Sequence, residues 1–203
     1  MSEISNSQTV FIVDDDSSIR QAMGLLLESV GLDNEIFESA DDFLQRVSDD
    51  RSGCLVLDIR MPGMSGLELQ ETLAARGNSM PVIFVTGHGD IPMAVEAMRN
   101  GAVDFIQKPF RDQELLDRIG AALRTDESRR SLIEETTKIQ ARIGRLTKRE
   151  HEVLDLVVTG KPNKIVAYEL GVSQRTVEIH RARVMEKMEA QSLADLVRMH
   201  LSS

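Results

Sequence analysis

Short apolar runs alternate with longer amphipathic stretches over the first 124 residues of the chain. The runs occupy residues 10–13, 35–37, 54–57, 82–85 and 103–106. The runs 10–13 and 82–85 contain no polar residue, which is typical of strands that are covered on both faces. The stretches between the runs have the spacing of helices. Five strands that alternate with five helices predict an α/β domain with a doubly wound, five-stranded parallel sheet and right-handed crossovers.

The last part of the chain has the pattern of four short helices. Thr147 and Glu150 have the spacing of a capping box at the start of the first helix, and Gly160 ends it. A second helix is predicted over about 163–170, followed by a tight turn, a third helix after Ser173 and a fourth after Ser192. The inward face of the third helix is predicted to hold Val177, His180, Val184 and Met188. A short turn between the second and third helices is the geometry with which a helix-turn-helix projects one helix into a DNA groove.

A helical pattern also runs through the middle of the chain, from about Arg111 past a charged patch at 126–130. A seam with spacings of 4, 3 and 4 is formed by Leu132, Thr136, Ile139 and Ile143. Two heptads of such a seam do not distinguish a coiled-coil dimer from a helix that packs on its own domain. The pattern predicts three segments: the α/β domain over 1–124, a helical interdomain linker over 125–145 and an all-α helix-turn-helix domain over 146–203.

The charge is distributed unevenly along the chain. The net charge of the whole chain is −9, and this total by itself would argue against binding to nucleic acid. Residues 1–124 have a net charge of −11, whereas 125–145 and 146–203 each have a net charge of +1. Because binding depends on the local potential, the C-terminal part can still meet DNA phosphates.

Other features predict a cytoplasmic protein without a membrane partner. The first seven residues contain neither basic residues nor an apolar stretch, and no run of about 18 apolar residues occurs. Cys54 is the only cysteine. It lies in an apolar run, where we expect a packed strand thiol and neither a nucleophile nor a metal ligand.

Acidic residues stand at the ends of two predicted strands. Asp14 and Asp15 follow the first strand, and Asp58 ends the third. In a doubly wound sheet of order 2-1-3-4-5, strands 1 and 3 are neighbours and ligands bind at their carboxyl ends. Three carboxylates there suit a hard divalent cation with oxygen ligands, Mg²⁺ first. Asp58 is the predicted nucleophile because it ends a central strand alone, whereas Asp14 and Asp15 are better placed to hold the metal.

Two further polar side chains are predicted at the same edge of the sheet. Thr86 ends the fourth strand, and Lys108 follows the fifth. A hydroxyl and an ammonium beside a metal and a carboxylate can bind a phosphoryl group. Each residue alone also has an ordinary explanation, as a turn or cap aspartate, a strand-end hydroxyl or a solvated lysine. The combination favours a phosphoryl-acceptor site.

Four stretches of the sequence together resemble the receiver domain of response regulators, most closely the FixJ type. They are 13–16 (VDDD), 57–66 (LDIRMPGMSG), 86–90 (TGHGD) and 108–110 (KPF). The resemblance spans the predicted α/β domain, which would then be a CheY-like receiver. It implies that Asp58 takes a phosphoryl group from a sensor histidine kinase. His88, in the third stretch, is expected to be only a loop residue.

The resemblance also implies roles for the neighbours of Asp58. The implied Mg²⁺ ligands are Asp14, Asp15, Asp58 and the main-chain carbonyl of Arg60. Thr86 and Lys108 would contact the phosphoryl oxygens. Phe105 would be the switch aromatic, which moves inward as Thr86 is pulled toward the phosphate. Taken alone, Phe105 would be a core residue.

The outward face of the third C-terminal helix mixes side chains that can contact base edges and thymine methyls. The residues of this face are Arg175, Thr176, Glu178, Ile179, Ala182 and Arg183. The residues placed to touch phosphates are Lys161, Asn163, Lys164, Arg181 and Lys187. Ordinary solvation also explains a basic helix face, so the face alone leaves both interpretations open.

Three stretches of this part resemble the LuxR-type helix-turn-helix of FixJ and NarL regulators. They are 146–150 (LTKRE), 162–167 (PNKIVA) and 176–180 (TVEIH). The resemblance covers 146–201 and implies that the helix led by Arg175 and Thr176 reads the major groove, while the last helix pairs subunits on a two-fold-related site. Glu178 and Ala182 stand where some relatives carry lysines, so the side chains that touch bases stay open.

Together these features predict a two-component response regulator in which Mg²⁺-dependent phosphorylation of Asp58 switches DNA binding and transcription. The switch would act through relief of interdomain contacts, through dimerisation, or both. The expected partners are a histidine kinase, double-stranded promoter DNA and a second copy of the chain, and RNA polymerase is a further candidate.

The chain is not expected to be an enzyme beyond its own phosphorylation and dephosphorylation. One alternative is an Asp-nucleophile phosphatase, which usually has an acid two residues after the nucleophile, where this chain has Arg60. A second alternative is a DNA-binding protein that does not depend on phosphorylation.

Overall fold

The fold is seen in a computed structural model that describes residues 8–87 and 91–202, with the side chains of 91, 92 and 94 excepted. His88 and the first seven residues lie outside the described residues. The chain divides into two compact units, Met1–Arg129 and Arg130–Ser203. The three-segment division with boundaries after 124 and 145 stays a prediction. Within the described part of the chain, no helix combines the length and apolar character that crossing a membrane requires.

The first unit is built on a five-stranded parallel sheet. Its strands are β1 Thr9–Val13, β2 Asn34–Phe37, β3 Gly53–Asp58, β4 Val82–Thr86 and β5 Asp104–Gln107. Its helices are α1 Ser17–Ser29, α2 Ala40–Arg46, α3 Gly66–Ala75, α4 Ile91–Arg99 and α5 Asp112–Ile143, the last of which ends in the second unit. The strand order is β2-β1-β3-β4-β5. The predicted doubly wound fold is therefore confirmed.

Alternate residues of the central strands pack on opposite faces of the sheet. Phe11 and Val13 of β1 lie in one hydrophobic core with Leu55 of β3, to which α2, α3 and α4 contribute. Val10 and Ile12 lie in a second core, which α1 and α5 complete. Both faces are thus covered by helices, which explains why these strands are apolar without a break.

Helix α5 is tied to the sheet by a buried carboxylate. Asp126 has no exposed surface, and its Oδ2 accepts hydrogen bonds from the Ser52 hydroxyl and the Gly53 amide, both at 2.9 Å. Its Oδ1 accepts a bond from Arg129 at 2.6 Å, and Arg129 also donates to Ser79. The charged patch at 126–130 therefore contains an anchor at the start of β3, the opposite end of that strand from Asp58.

The second unit contains helices α6 Lys148–Val158, α7 Asn163–Leu170, α8 Gln174–Met188 and α9 Leu193–Leu201. Capping boxes and single caps begin these helices where the sequence predicted, at Thr147, Ser173 and Ser192. Gly171 ends α7 in the left-handed region, with φ 64°, and so allows the tight turn into α8.

The seam of spacings 4, 3 and 4 packs, in its C-terminal half, on its own domain. Ile139 is 3% exposed and lies in the core of the second unit, and Ile143 packs against that core. Leu132, by contrast, is 66% exposed. Of the two interpretations left open by the sequence, intradomain packing accounts for Ile139 and Ile143.

Candidate functional site

The predicted pocket residues stand at the carboxyl edge of the sheet. Val13 and Leu57 are partners in the pairing of β1 with β3, so Asp14 and Asp58, the next residues of the two segments, are brought side by side. Thr86 is the last residue of β4, and its register partner is Gln107, which directly precedes Lys108. Parallel pairing alone therefore brings these residues to one edge.

The ammonium of Lys108 bridges two buried carboxylates. Lys108 Nζ lies 2.7 Å from Asp14 Oδ2 and 2.7 Å from Asp58 Oδ1. Asp14 is 1% exposed and Asp58 is 7% exposed, so their mutual repulsion is little screened by water. The second oxygens of both are also held, since Asp14 Oδ1 accepts from the Asp16 amide at 2.8 Å and Asp58 Oδ2 from the Arg60 amide at 2.7 Å.

The contacts at this bridge contribute to shifts in the pKa values of Asp58 and Lys108. Burial raises the pKa of Asp58 above its ordinary value, although the hydrogen bond from Lys108 opposes that shift. Burial alone would lower the pKa of Lys108, but its hydrogen bonds to Asp14 and Asp58 outweigh burial and raise it. Lys108 is therefore held as a cation between the two carboxyl groups.

Thr86 is buried near the bridge at the carboxyl edge of the sheet, whereas Phe105 is partly exposed. Thr86 is 4% exposed, and its hydroxyl donates to the carbonyl of Gly87 at 3.3 Å. Phe105 pairs in register with Phe84 of β4, yet its ring is 41% exposed. Phe105 is therefore not a core residue: β5 is an edge strand of the sheet, and among its four residues Ile106 is the buried one.

The oxygen ligands predicted for Mg²⁺ are only partly assembled. Within residues 8–87 and 91–202, no three His, Cys, Asp or Glu side chains form a group that could hold a metal ion. Asp14 and Asp58 meet at Lys108, whereas Asp15 is exposed. The expectation that three carboxylates lie together is thus met for two of them. The donors that do meet are hard oxygens, and the chemistry of this set fits Mg²⁺.

The second unit presents α8 as a helix with one buried and one exposed face. Val177, Val184 and Met188 are buried in the core, and the Ser173 hydroxyl caps the helix by accepting from the Thr176 amide at 3.1 Å. Exposed positions recur at one-turn spacing. They are Gln174, Arg175, Glu178, Ile179, Ala182, Arg183 and Glu186. Most of the base-facing residues predicted from the sequence therefore lie on one exposed stripe.

Several predicted phosphate contacts are engaged inside the second unit. Arg181 donates to the side-chain oxygen of Asn163 at 3.0 Å, and Lys161 pairs with Glu169 at 2.7 Å. Lys164 is exposed. These pairs hold Arg181 and Lys161 in place without burying them.

Lys187 has a structural partner that the sequence analysis missed. Its ammonium donates to Glu150 Oε2 at 2.6 Å and to the carbonyl of Arg145 at 3.1 Å. Glu150 is 2% exposed; the bond from Lys187, followed by the bond from the Thr147 amide, lowers the pKa of Glu150 to about 2. The capping box identified Glu150 in advance, but its lysine lies 37 residues away, and no local pattern points to it.

Residues 10–120 match the response regulator receiver domain, and residues 144–200 match the luxR family of bacterial regulatory proteins. The chain belongs to the response regulators. Its receiver and LuxR-type DNA-binding domains make it a member of the FixJ-type transcriptional regulators, as the motifs indicated.

Individual relatives cover nearly the whole length of this response regulator. Nodulation protein W of Bradyrhizobium diazoefficiens is 50% identical over 97% of this chain and 87% of its own. The transcriptional regulatory protein FixJ of Rhizobium meliloti is 47% identical over 96% of this chain and 95% of its own. The solved structure of the response regulator StyR has a TM-score of 0.90 and 45% identity, covering 97% of this chain and all of that one. A two-component regulator of this class implies a histidine kinase and DNA as partners.

Proposed function

We propose that this response regulator is switched by Mg²⁺-dependent transfer of a phosphoryl group from a histidine kinase to Asp58. The observation that supports the proposal most directly is the Lys108 ammonium, which lies 2.7 Å from both Asp58 and Asp14. A nucleophilic carboxylate with a cation at hydrogen-bonding distance is the arrangement that phosphoryl transfer needs, because the transferred group brings further negative charge.

In the transfer step, Asp58 supplies the attacking carboxylate oxygen. The bond between phosphorus and the donor's nitrogen breaks as the bond between phosphorus and the Asp58 oxygen forms, and the electron pair leaves with the donor. Lys108 offsets the charge that accumulates on the phosphoryl oxygens. The Arg60 amide, 2.7 Å from the other Asp58 oxygen, fixes the orientation of the carboxylate. Hydrolysis of the same acyl phosphate by water would return the protein to its resting state.

The metal ligands proposed for this site are Asp14, Asp15, Asp58 and the main-chain carbonyl of Arg60. Receiver domains as a family use Mg²⁺. When bound, the cation would supply positive charge beside the phosphoryl group. The protein's own share is to hold Asp14 and Asp58 in fixed positions through Lys108 and through the Asp16 and Arg60 amides.

Phosphorylation would act through Thr86 and Phe105. The Thr86 hydroxyl now donates to the neighbouring Gly87 carbonyl, and in the phosphorylated protein it would donate to a phosphoryl oxygen. The exposed ring of Phe105 would then move inward toward the space left by Thr86. Such a change at the receiver surface would favour a homodimer, which raises the local concentration of the second DNA-binding domain at its half-site.

The proposed DNA contacts follow the exposed stripe of α8. Base edges would be met by Arg175, Thr176, Glu178, Ile179, Ala182 and Arg183, and phosphates by Lys161, Asn163, Lys164, Arg181 and Lys187. Since Lys187 is bonded to Glu150, it could reach a phosphate only by sharing its ammonium. RNA polymerase is proposed as a further partner at promoters.

The decisive experiment compares the wild-type protein with Asp58→Asn, which keeps the side-chain shape and removes the nucleophile. Each is treated with Mg²⁺ and a small phosphoryl donor, and incorporated phosphate, oligomeric mass and DNA affinity are measured. We expect phosphate, dimer formation and tighter DNA binding in the wild type alone. Equal DNA binding under all conditions would contradict phosphorylation control and leave the DNA-binding domain acting independently.

A further inference from the structure

The exposed stripe of α8 contains an acidic side chain where DNA would lie. Glu178 is exposed, one turn after Gln174 and one turn before Ala182. Its Oε1 accepts a hydrogen bond from the Gln174 amide at 3.4 Å. This bond comes from a neutral group, so the charge of the carboxylate is not compensated by it.

A carboxylate on a DNA-facing helix is repelled by the phosphates on both sides of the groove. It is tolerated at such a position when it meets a hydrogen-bond donor, and in the major groove the donors are the exocyclic amines of cytosine and adenine. Adenine presents its N6 amine beside the N7 acceptor, which repels a second carboxylate oxygen. Cytosine presents its N4 amine beside a C5–H group, which does not repel the second carboxylate oxygen.

The residues around Glu178 fit a close approach to a base pair. Ala182, which lies one turn after Glu178 on the stripe, is small, so the helix can come near the floor of the groove at this point. Ile179 is 47% exposed and can cover a thymine methyl at an adjacent step. Gln174 restrains the Glu178 carboxylate through its amide, which reduces the entropy lost when the carboxylate binds a base.

We propose that Glu178 is a specificity-determining residue that selects cytosine at one position of each half-site, by accepting a hydrogen bond from its N4 amine. This inference rests on the proposed binding of DNA by α8. A phosphate contact would raise the affinity for every DNA sequence alike. Glu178 instead lowers the affinity for sites that lack this cytosine, and the hydrogen bond from the cytosine offsets that loss at sites that contain it.

The experiment selects binding sites from a random duplex library with the full-length, phosphorylated protein and with three variants. Glu178→Ala removes the acceptor, and Glu178→Gln replaces it with an amide that pairs with adenine N6 and N7. Glu186→Gln is the matched control, since it makes the same charge change on α8 two turns later, beyond the last proposed base contact at Arg183. Affinities for the selected site and for a duplex of unrelated sequence are then measured for each protein.

In the wild type we expect one position to prefer cytosine by about 5- to 150-fold, as for a good base contact. Glu178→Ala should lose the preference at that position alone, Glu178→Gln should change it toward adenine, and both should bind the unrelated duplex more tightly than the wild type does. Glu186→Gln should keep every base preference. The proposal would be overturned if Glu178→Ala kept the cytosine preference. It would also be overturned if the preference that Glu178→Ala loses were for a base other than cytosine. A wild-type protein that enriches no sequence would instead overturn the proposed DNA readout itself.

Discussion

The two ends of this response regulator carry their candidate chemistry in opposite ways. In the receiver, Asp14 and Asp58 are 1% and 7% exposed and are bonded through Lys108. In the DNA-binding domain, Arg175 and Glu178 are exposed on the surface of α8. The pocket residues are thus part of the packed structure, whereas the DNA-facing residues stand outside it.

This difference determines how mutations should behave. Removing a buried, bonded charge leaves its partners unsatisfied in a low-dielectric environment, so function and stability change together. Removing an exposed side chain from α8 leaves the core of Val177, Val184 and Met188 intact, so binding can change while the free energy of unfolding does not. Substitutions in the two domains should therefore separate stability from binding, with the largest loss of stability in the receiver.

Asp126→Ala should lower the free energy of unfolding of the receiver by about 3–5 kcal/mol, because it removes the partner of Arg129, Ser52 and Gly53 from a fully buried site. Thermal or urea unfolding, followed for the receiver transition, measures the change. The matched control is Asp42→Asn, which breaks a more exposed pair with Arg46 and should cost less than about 1 kcal/mol. Equal effects of the two substitutions would show that the burial of Asp126 does not stabilise the domain.

Lys108→Met should slow phosphorylation of Asp58 by about 100- to 1,000-fold, the cost of losing one preorganised charge beside a transferring group. It should also destabilise the receiver, and Mg²⁺ should restore more stability to this variant than to the wild type, because the cation replaces the lost positive charge between Asp14 and Asp58. The rate of phosphate incorporation and the melting temperature with and without Mg²⁺ are the measurements.

The control for that variant is Lys138→Met, which removes a lysine whose side chain is 69% exposed and whose ion pair with Glu134 spans 3.5 Å. It should leave both the rate and the melting temperature unchanged. A Lys108→Met protein that is phosphorylated at the wild-type rate would remove Lys108 from the proposed mechanism.

The sequence was sufficient to predict the sheet and the residues at its carboxyl edge. The three central strands β1, β3 and β4 are local apolar runs. Asp14, Asp58 and Thr86 stand where these runs end, so the strand order brings them together. The predicted fifth strand began at 103, one residue before Asp104. Val103 nevertheless donates a backbone hydrogen bond to the Val82 carbonyl, so it joins the neighbouring strand one residue before the regular ladder begins.

What the sequence could not predict are partners that are distant along the chain. Asp126 is hydrogen-bonded to Ser52, 74 residues away along the chain, and Glu150 to Lys187, 37 residues away. The local sequence around Asp126 is that of an ordinary charged helix, and the sequence around Glu150 is that of a helix cap. The exposure of the Phe105 ring was also not predictable, because an aromatic residue in a β-strand is usually packed.

Glu150→Gln tests whether the DNA-binding domain has a buried charge of its own. The substitution should cost about 1.5–3 kcal/mol at neutral pH, since it weakens a charged hydrogen-bond network with Lys187 and the Thr147 amide. The pKa of Glu150 is lowered from 4.5 to about 2 on folding. The stabilisation by Glu150 is therefore complete above pH 4.5 and is lost as the pH falls toward 2.

The measurement is the difference in free energy of unfolding between wild type and Glu150→Gln as a function of pH. That difference should be constant above pH 4.5 and shrink between pH 4.5 and 2. A difference that stays the same throughout this range would mean that packing, and not the ionised carboxylate, accounts for the cost of the substitution.

Arg175→Ala should have the smallest effect on stability and a clear effect on binding. Arg175 is the second residue of α8 and is exposed, so its removal should change the free energy of unfolding by less than about 0.5 kcal/mol. If Arg175 contacts a base edge, affinity for the specific site should fall by about 1–3 kcal/mol, with less loss on unrelated DNA.

The control is Arg124→Ala, which removes an exposed arginine of α5. It makes the same charge change in the receiver and should leave the affinity for the specific site unaltered. Equal losses on specific and unrelated DNA would place Arg175 against a phosphate, and the boundary between base-reading and phosphate-binding residues on α8 would then move toward Glu178 and Ile179.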